Sequence, residues 1–379
     1  MSVGRKINKL FSLIITTLLL SPTIAFADFN LNMTEGVTSI SRGAHDLHML
    51  VLWIVTIVGV VVFGVIIYSL IYHRKSKGAV AAHFHESTTI EVIWTIVPLA
   101  VLVLIAIPAT KSLLDIEDTS DPDVTIKVTG WQWKWQYEYL DEGISFFSNL
   151  DARSNEARQR NSGIDVKTVE HYLLNVDKPI VVPIGKKVRI LATSNDVIHS
   201  WWVPALGMKR DAIPGYINEF WARVDVPGVY RGQCAELCGK DHGFMPIVVK
   251  AVSDSEYQSW VKEQKLAMAQ ADAGSDKTWS RDDLIKRGEQ VYNASCAACH
   301  QPTGAGIPGV FPGLVNSKIA TGPAADHIDI VLNGKAGTAM QAFGQQLNDA
   351  DLAAVITYER NSWGNAASVV QPADVKAAR

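Results

Sequence analysis

Two long apolar runs lie near the N-terminal end of the chain. The first covers about residues 49–72 and contains no charged side chain, and the second covers about residues 90–109, with Glu91 near its start. Each run has about the 20 residues that a helix needs to cross the hydrocarbon core of a bilayer. Buried helices of soluble domains rarely stay apolar for so long. The pattern therefore predicts a transmembrane hairpin within residues 28–110.

The charges that flank these runs predict their orientation. The loop between them carries Arg74, Lys75 and Lys77, whereas acidic residues, beginning at Asp115, follow the second run. Loops rich in Lys and Arg stay on the cytoplasmic side. We therefore expect both chain ends, and everything after about residue 110, on the outer side of the membrane.

A shorter apolar run, Leu10 to Leu20, follows Arg5, Lys6 and Lys9 and precedes the small-x-small pattern at 25–27. These features predict a cleavable signal peptide over residues 1–27. An uncleaved anchor helix is the alternative, and Pro22 and the shortness of the run disfavour it.

Residues 111–255 show the period-two alternation of β-strands. From Val124 to Tyr139 the apolar and aromatic positions alternate, with a change of phase at Gly130 that indicates a bulge or a change of strand. Shorter β-like runs occur at 178–193, 219–224 and 244–252, and the polar stretch 151–170 is predicted to be a surface loop. Short strands at this spacing predict a β-sandwich or barrel.

The C-terminal part of the chain changes to helical periodicity. Residues 255–270 are predicted to be helical, and the composition of residues 264–279 indicates a flexible linker without a core, so 256–279 is assigned as helix and linker. Helical patterns at 282–293 and 349–363 predict an all-α module over residues 280–365, followed by a tail at 366–379.

Composition limits the function classes. A hydrophobic content of 48% permits sizeable cores in a chain of 379 residues, and the net charge of −3 argues against nucleic acid as a partner. The mild acidity fits a basic protein partner better. The four cysteines occur as two pairs beside histidines, which favours cofactor ligation over disulfide bonds.

Cys296-Ala-Ala-Cys299-His300 matches the C-x-x-C-H pattern of covalent haem attachment. Two thioether bonds fix the haem, and the adjacent histidine is placed to ligate its iron. Met340, the only methionine after the motif, is the candidate for the second axial ligand. A redox dithiol would need a thioredoxin-like setting, which is not evident. The module resembles a class I cytochrome c, a resemblance that extends to Gly288 and Tyr358, which pack together in that family.

The second cluster combines thiols, imidazoles and a thioether. Cys234, Cys238, His242 and Met245 lie within one short segment, and His199 precedes them in Val-Ile-His-Ser-Trp-Trp. This soft ligand set suits copper. Two cysteines indicate either a thiolate-bridged pair of coppers or a zinc site, and zinc would leave Met245 without a role.

This segment resembles the dinuclear copper A loop of cytochrome c oxidase subunit II, and the resemblance covers nearly the whole chain to about residue 255. It implies a two-helix hairpin before a cupredoxin-like β-sandwich. It also implies that Cys234 and Cys238 bridge two coppers, with His199, His242, Met245 and the backbone carbonyl of Glu236 as the remaining ligands. The Glu236 side chain would in addition face a magnesium ion at the boundary with subunit I.

Two further assignments follow from the resemblance. In the aromatic segment Trp131–Tyr139, Trp133 best matches the tryptophan that accepts electrons from cytochrome c, and Trp135 lies close by. Core packing is the alternative for these rings. Glu91 matches a glutamate at the mouth of a proton path, and its alternative is a side chain that reaches the lipid headgroups.

With its fused cytochrome, the chain resembles subunit II of a caa3-type cytochrome c oxidase in a bacterial inner membrane. The resemblance implies electron entry through haem c and copper A, transfer to haem a of subunit I, and oxygen reduction coupled to proton translocation. Implied partners are subunits I and III, the lipid bilayer, and cytochrome c or another periplasmic donor, but no nucleic acid. A copper A-containing nitric oxide reductase subunit and a stand-alone membrane-anchored electron carrier remain alternatives.

Overall fold

The computed structural model describes residues 32–81, 83, 85–344 and 346–379, without the side chains of residues 271–273. The predicted signal peptide therefore lies outside the described residues. All the helices and strands below belong to the unit Glu35–Arg379.

Two long helices follow the predicted apolar runs. Helix α1 is Ser39–Tyr72 and helix α2 is Thr88–Glu117, and both are long and apolar enough to span a membrane. Their most apolar windows are not buried by the rest of the chain, which fits contact with lipid. Each helix extends beyond its predicted bounds, because hydropathy marks only the part in the bilayer. The backbone stays helical until a capping site, which is Thr38 at the start of α1.

Ten strands and one short helix make up the next part of the chain. They are β1 Val124–Trp131, β2 Lys134–Tyr139, β3 Ile144–Ser148, α3 Ala152–Ala157, β4 Ile180–Pro183, β5 Val188–Ser194, β6 His199–Val203, β7 Met208–Ala212, β8 Asn218–Ala222, β9 Gly228–Cys234 and β10 Pro246–Val252. Two five-stranded sheets have the orders β3-β2-β1-β5-β8 and β4-β10-β9-β6-β7. The pairs β1–β5 and β4–β10 are parallel, and the other pairs are antiparallel. The two sheets enclose one apolar core, which confirms the predicted β-sandwich.

The aromatic segment contains a hairpin, so the change of phase marks a change of strand. β1 ends at Trp131 and β2 begins at Lys134, with Gln132 and Trp133 in the turn between them. The predicted surface loop at 151–170 also needs correction, because it includes α3 and a short 3₁₀ turn at Val166–Thr168. The Asp151 side chain caps α3 by accepting a hydrogen bond from the Ser154 amide.

The prediction of a flexible linker at 264–279 is wrong for most of its length. Helix α4 spans Asp254–Ser275, and only residues 276–280 separate it from the next helix. Ser253 and Glu256 form a capping box at its start. The composition misled because Ala and Gln, which are frequent in this segment, are strong helix formers as well as common linker residues.

The C-terminal module is helical, as predicted. Its helices are α5 Arg281–Ser295, α6 Ala297–His300, α7 Lys318–Thr321, α8 Ala324–Asn333, α9 Asp349–Asn361 and α10 Pro372–Ala378. The segment predicted to be a tail belongs to this module, because Val370 and Val375 are buried in its core. Thr357 of α9 also exchanges two hydrogen bonds with the backbone of Val370. Its apolar anchors, Val369, Val370, Pro372 and Val375, do not follow a clear helical period, so their pattern gave little signal.

Helices α5 and α9 cross at Gly288, which confirms the contact expected with Tyr358. A Cβ atom on Gly288 would overlap the Ala354 carbonyl oxygen and would lie 2.7 Å from Tyr358 Cβ. The helices can approach this closely only because position 288 has no side chain. This crossing supports the helix that ends next to Cys296.

Gly288→Ala is therefore expected to destabilise the helical module by about 1–3 kcal/mol, since a backbone oxygen must move to admit the methyl group. Guanidinium unfolding of the full chain, followed by its haem absorbance, measures the change. Gly274→Ala in α4 is the matched control, because the new methyl group would meet only Trp279 at 3.5 Å, an ordinary contact. Equal stability of both variants and the natural chain would contradict the packing role of Gly288.

Candidate metal centre and cofactor cavity

The predicted copper ligands come from two neighbouring strands and the loop between β9 and β10. His199 begins β6 and Cys234 ends β9, and these strands pair with Trp201 opposite Cys234. Gln233 of β9 pairs with Pro246 of β10, so the intervening loop is closed at its base. Sheet register thus brings residues that are far apart in sequence to one end of the sandwich.

The two cysteines lie at the centre of this cluster. Their Sγ atoms are 3.8 Å apart, far beyond the about 2.05 Å of a disulfide, and both thiols are free and buried. His199 Nδ1 lies 3.9 Å from the Sγ of Cys234, and the carbonyl oxygen of Glu236 lies 3.3 Å from it.

The other two predicted ligands lie beside Cys238. His242 Nδ1 and Met245 Sδ are each 3.6 Å from its Sγ. The structure therefore brings together all six donor groups that the sequence suggested. Two thiols, two imidazoles, a thioether and a carbonyl around one sulfur pair fit soft copper better than a closed four-ligand zinc site.

A carboxylate orients His199 within the cluster. Asp196 Oδ1 lies 2.9 Å from His199 Nε2, which leaves Nδ1 facing the sulfur atoms. Gly130 makes room for the ring, because a Cβ there would lie 2.6 Å from His199 Cδ2. Carboxylates that hold the second nitrogen of a metal-binding histidine fix its tautomer. Sequence reasoning missed Asp196, although an acid three residues before a candidate ligand is a usable signal.

A buried ion pair holds the loop beside His242. Arg158 Nη1 lies 3.3 Å from Asp241 Oδ1, and its guanidinium lies over the Phe244 ring at 4.3 Å. Asp241 is almost fully buried, so loss of Arg158 would leave a carboxylate without its ion-pair partner. Sequence reasoning missed this pair, because its members are 83 positions apart.

The two tryptophans selected from the sequence have different surroundings. Trp133 is half-buried, and its Nε1 donates a hydrogen bond to the Cys238 carbonyl at 3.1 Å. Trp135 is fully buried, donates to the Met245 carbonyl at 3.2 Å, and contacts the His199 ring edge-on. Both rings therefore adjoin ligand residues, but Trp135 is also part of the sandwich core.

Hydrogen bonding between the two thiols shifts both of their pKa values. The contact with Cys238 lowers the pKa of Cys234, although burial opposes this shift, and His199 lowers it further. The same contact and burial raise the pKa of Cys238. One proton is thus shared by the pair, and this favours a thiolate at Cys234.

The second set of predicted residues lines a single cavity of about 910 Å³. Cys296, Cys299, His300 and Met340 all contribute to its wall. His300 Nδ1 lies 2.9 Å from the Pro312 carbonyl oxygen, so this nitrogen donates a hydrogen bond and Nε2 stays free for a metal. Burial raises the pKa of both thiols, which are not joined in a disulfide. The donors and the cavity size fit a covalently attached haem.

A polar pair in the same wall also fits a bound group. His327 Nε2 lies 2.8 Å from Glu359 Oε2, and both side chains are buried. Among the described residues, His327 Nδ1 has no hydrogen-bond partner, so it is available to a polar group in the cavity. This pair was not predictable from the sequence, since one member lies on α8 and the other on α9.

The β-sandwich closes one side of this cavity. Trp133 and Lys134 line it together with the cysteines of the helical module. Gln341 Nε2 donates to the Gln132 carbonyl at 2.7 Å, and Lys240 Nζ donates to the Ala298 carbonyl at 3.0 Å. The two cofactor sites therefore share the turn between β1 and β2.

Two predicted side chains do not point into either cluster. Glu91 is exposed in the first turn of α2, next to the loop with the basic residues. The Glu236 side chain is exposed on the metal loop, beside Leu237, which is 77% exposed.

Three family models match successive parts of the chain. Residues 27–111 match the transmembrane domain of cytochrome c oxidase subunit II, and residues 124–252 match its periplasmic domain. Residues 283–358 match subunit III of cbb3-type cytochrome c oxidase.

Curated relatives include cytochrome c oxidase subunit 2 of Arabidopsis thaliana, which is 39% identical over 65% of this chain and 93% of the relative. A probable cytochrome c oxidase subunit 2 of Rickettsia bellii is 39% identical over 59% of this chain and 80% of the relative. The solved periplasmic domain of subunit II from Bradyrhizobium japonicum is 42% identical, with 39% of this chain and 98% of that chain covered and a TM-score of 0.34.

At neutral pH the copper-free, haem-loaded chain is expected to contain one thiolate and one thiol at the sulfur pair, because Cys238 donates to Cys234. An infrared spectrum should therefore show one S–H stretching band. Cys238→Ala should remove that band and produce one for Cys234, whose thiolate has lost its donor. Two S–H bands in the natural chain at neutral pH would contradict the shared proton.

Proposed function

Because the chain belongs to the cytochrome c oxidase subunit II family and carries a cytochrome c module, we propose that it is the electron-entry subunit of a bacterial respiratory oxidase. Electrons from a periplasmic donor enter through haem c, continue through copper A, and reach haem a of subunit I, where oxygen is reduced with proton translocation. The observation that carries direct transfer between the first two carriers is the wall that their two sites share.

The copper A site is proposed to use the six donors around the sulfur pair. Cys234 and Cys238 would supply the thiolates shared by the two coppers, and His199, His242, Met245 and the Glu236 carbonyl would supply the remaining donors. When bound, the two coppers supply a one-electron carrier that shares its charge over both sulfurs. The protein holds the donors before the metal enters, through the β6–β9 pairing, Asp196 and the Arg158–Asp241 ion pair. Pre-positioned ligands keep the site's geometry nearly constant.

The haem site is proposed to use the four residues that line the cavity. Cys296 and Cys299 would form the thioether bonds, and His300 and Met340 would supply the two iron ligands. Pro312 holds His300 by accepting from Nδ1. The peptide around Met340 is held by the hydrogen bond from the Lys335 amide to the Met340 carbonyl at 3.0 Å.

Trp133 is proposed to connect the two sites. Its ring lines the haem cavity, and its Nε1 donates to the carbonyl of the bridging residue Cys238. One side chain therefore contacts both the cavity and a proposed copper ligand. Trp135, behind it in the core, supports the His199 ring and the Met245 backbone.

The two membrane helices and the exposed tip of the copper loop are proposed to contact other subunits. α1 and α2 are proposed to pack on subunit I, with subunit III in the same complex. Leu237 and the Glu236 carboxylate form an exposed tip on the copper loop, which suits a contact with subunit I and a shared magnesium ion. Glu91 is proposed to serve the proton path from the cytoplasmic side of the bacterial inner membrane.

Cys234→Ser and Cys238→Ser test the copper assignment. Each variant is expected to lose the mixed-valence copper signal in electron paramagnetic resonance, because a hydroxyl cannot bridge the coppers as a thiolate does. Covalent haem should remain, since its attachment needs only Cys296 and Cys299. Metal analysis of this chain, separated from its partner subunits, should find two coppers and one covalent haem per copy.

Cys296→Ser is the reciprocal control, and it should impair covalent haem attachment while it preserves the copper signal. Stoichiometric zinc in place of copper would contradict the copper assignment. Purification with a nitric oxide-reducing partner, or with no haem-containing partner, would contradict the oxidase assignment.

A further inference from the structure

Lys134 is a buried cation at the boundary between the two cofactor sites. It begins β2 of the β-sandwich, is only 6% exposed, and lines the cavity with the haem cysteines. Its Nζ lies 4.7 Å from the ring centroid of Phe147 in the sandwich and 5.1 Å from that of Phe343 in the cytochrome module. One aromatic ring from each domain therefore flanks the ammonium group.

This ammonium group has no close anion. Among the residues that the structure describes, none accepts a hydrogen bond from Lys134 Nζ. Burial lowers its pKa to about 8, and the acidic groups that counter this effect, Cys296, Asp196, Asp177 and Cys299, act only through longer-range charge interactions. The group is therefore mainly charged at neutral pH, in surroundings that screen its charge poorly.

The position of Lys134 depends on contact between the domains. The Gln132–Gln341 and Lys240–Ala298 hydrogen bonds join the two domains, and Phe343 belongs to the core of the cytochrome module. If the module moved away, Lys134 would lose Phe343 and gain water. Its charge thus acts on the cavity fully only while the module is docked.

We propose that Lys134 makes docking of the cytochrome module depend on the oxidation state of its haem. This inference rests on the proposed haem site. Reduction adds one electron to the haem and lowers its positive charge, so a nearby buried cation favours the reduced module. The reduced module docks more tightly on the copper domain, and the oxidised module docks more weakly.

The dependence of docking on the oxidation state also changes the haem reduction potential, because the two equilibria are thermodynamically linked. If reduction strengthens docking, then docking raises the potential by the equivalent amount. We expect the reduced module to dock about tenfold more tightly than the oxidised module, which is within the range of common coupling free energies. A tenfold ratio corresponds to about 59 mV for a one-electron couple. Loss of the electron to copper then loosens the module and frees it to meet the next donor.

Redox titration of the haem in the full oxidase complex at pH 7 is the first test. Lys134→Met, which keeps the length but removes the charge, should lower the haem potential, and Lys134→Arg should retain it. Lys127→Met is the matched control. Lys127 lies on the other strand of the same hairpin, pairs with Glu138 at 2.8 Å and does not line the cavity. Its loss should leave the potential unchanged.

Hydrogen exchange separates redox-linked docking from simple loss of structure. In the natural complex, peptides covering residues 130–136 and 338–344 should exchange faster when the haem is oxidised than when it is reduced. Lys134→Met should abolish this difference, and Lys134→Arg should restore it. Equal exchange in the two redox states, or an unchanged potential in Lys134→Met, would overturn the proposal. Haem loss in the natural chain would instead refute the underlying site, and haem staining detects it.

Discussion

The contact between the β1–β2 turn and the cytochrome module is the interaction on which the rest of the account depends. Three consecutive residues contribute to it in different ways. The Gln132 backbone carbonyl accepts a hydrogen bond from a side chain of the module, Trp133 places a ring beside the copper loop, and Lys134 places a charge in the haem cavity. The hairpin is rigid because β1 and β2 lie inside a five-stranded sheet. Any shift of the turn would therefore disturb both cofactor sites together.

The residues of both sites could be predicted because cofactors impose short-range demands on sequence. C-x-x-C-H places two thiols and an imidazole within five positions, and the copper loop places four side-chain donors between residues 234 and 245. The transmembrane helices were equally predictable, since the bilayer requires an apolar length. His199 was harder to place, and only the β6–β9 pairing shows how it reaches the cysteines.

Two polar pairs beside the sites were not predictable, because their members lie far apart in sequence. Arg158 meets Asp241, and His327 meets Glu359, only after the chain has folded.

The linker was misread for a different reason. Its composition suits either a flexible coil or a helix, and the capped start at Ser253 together with strong helix formers favours the helix. Helix α4 and the short segment 276–280 connect the β-sandwich to the cytochrome module. Specific side-chain hydrogen bonds then hold the module against the sandwich.

In the proposed pathway, the haem delivers its electron to copper within one chain, across the turn that both sites share. Flash-induced oxidation of the haem in the intact complex, followed across protein concentration and ionic strength, measures this step directly. Because the module is already docked on the copper domain, the rate should not depend on concentration and should change little with salt. A rate that rises in proportion to concentration, or falls steeply as salt screens the encounter of separate partners, would contradict the account.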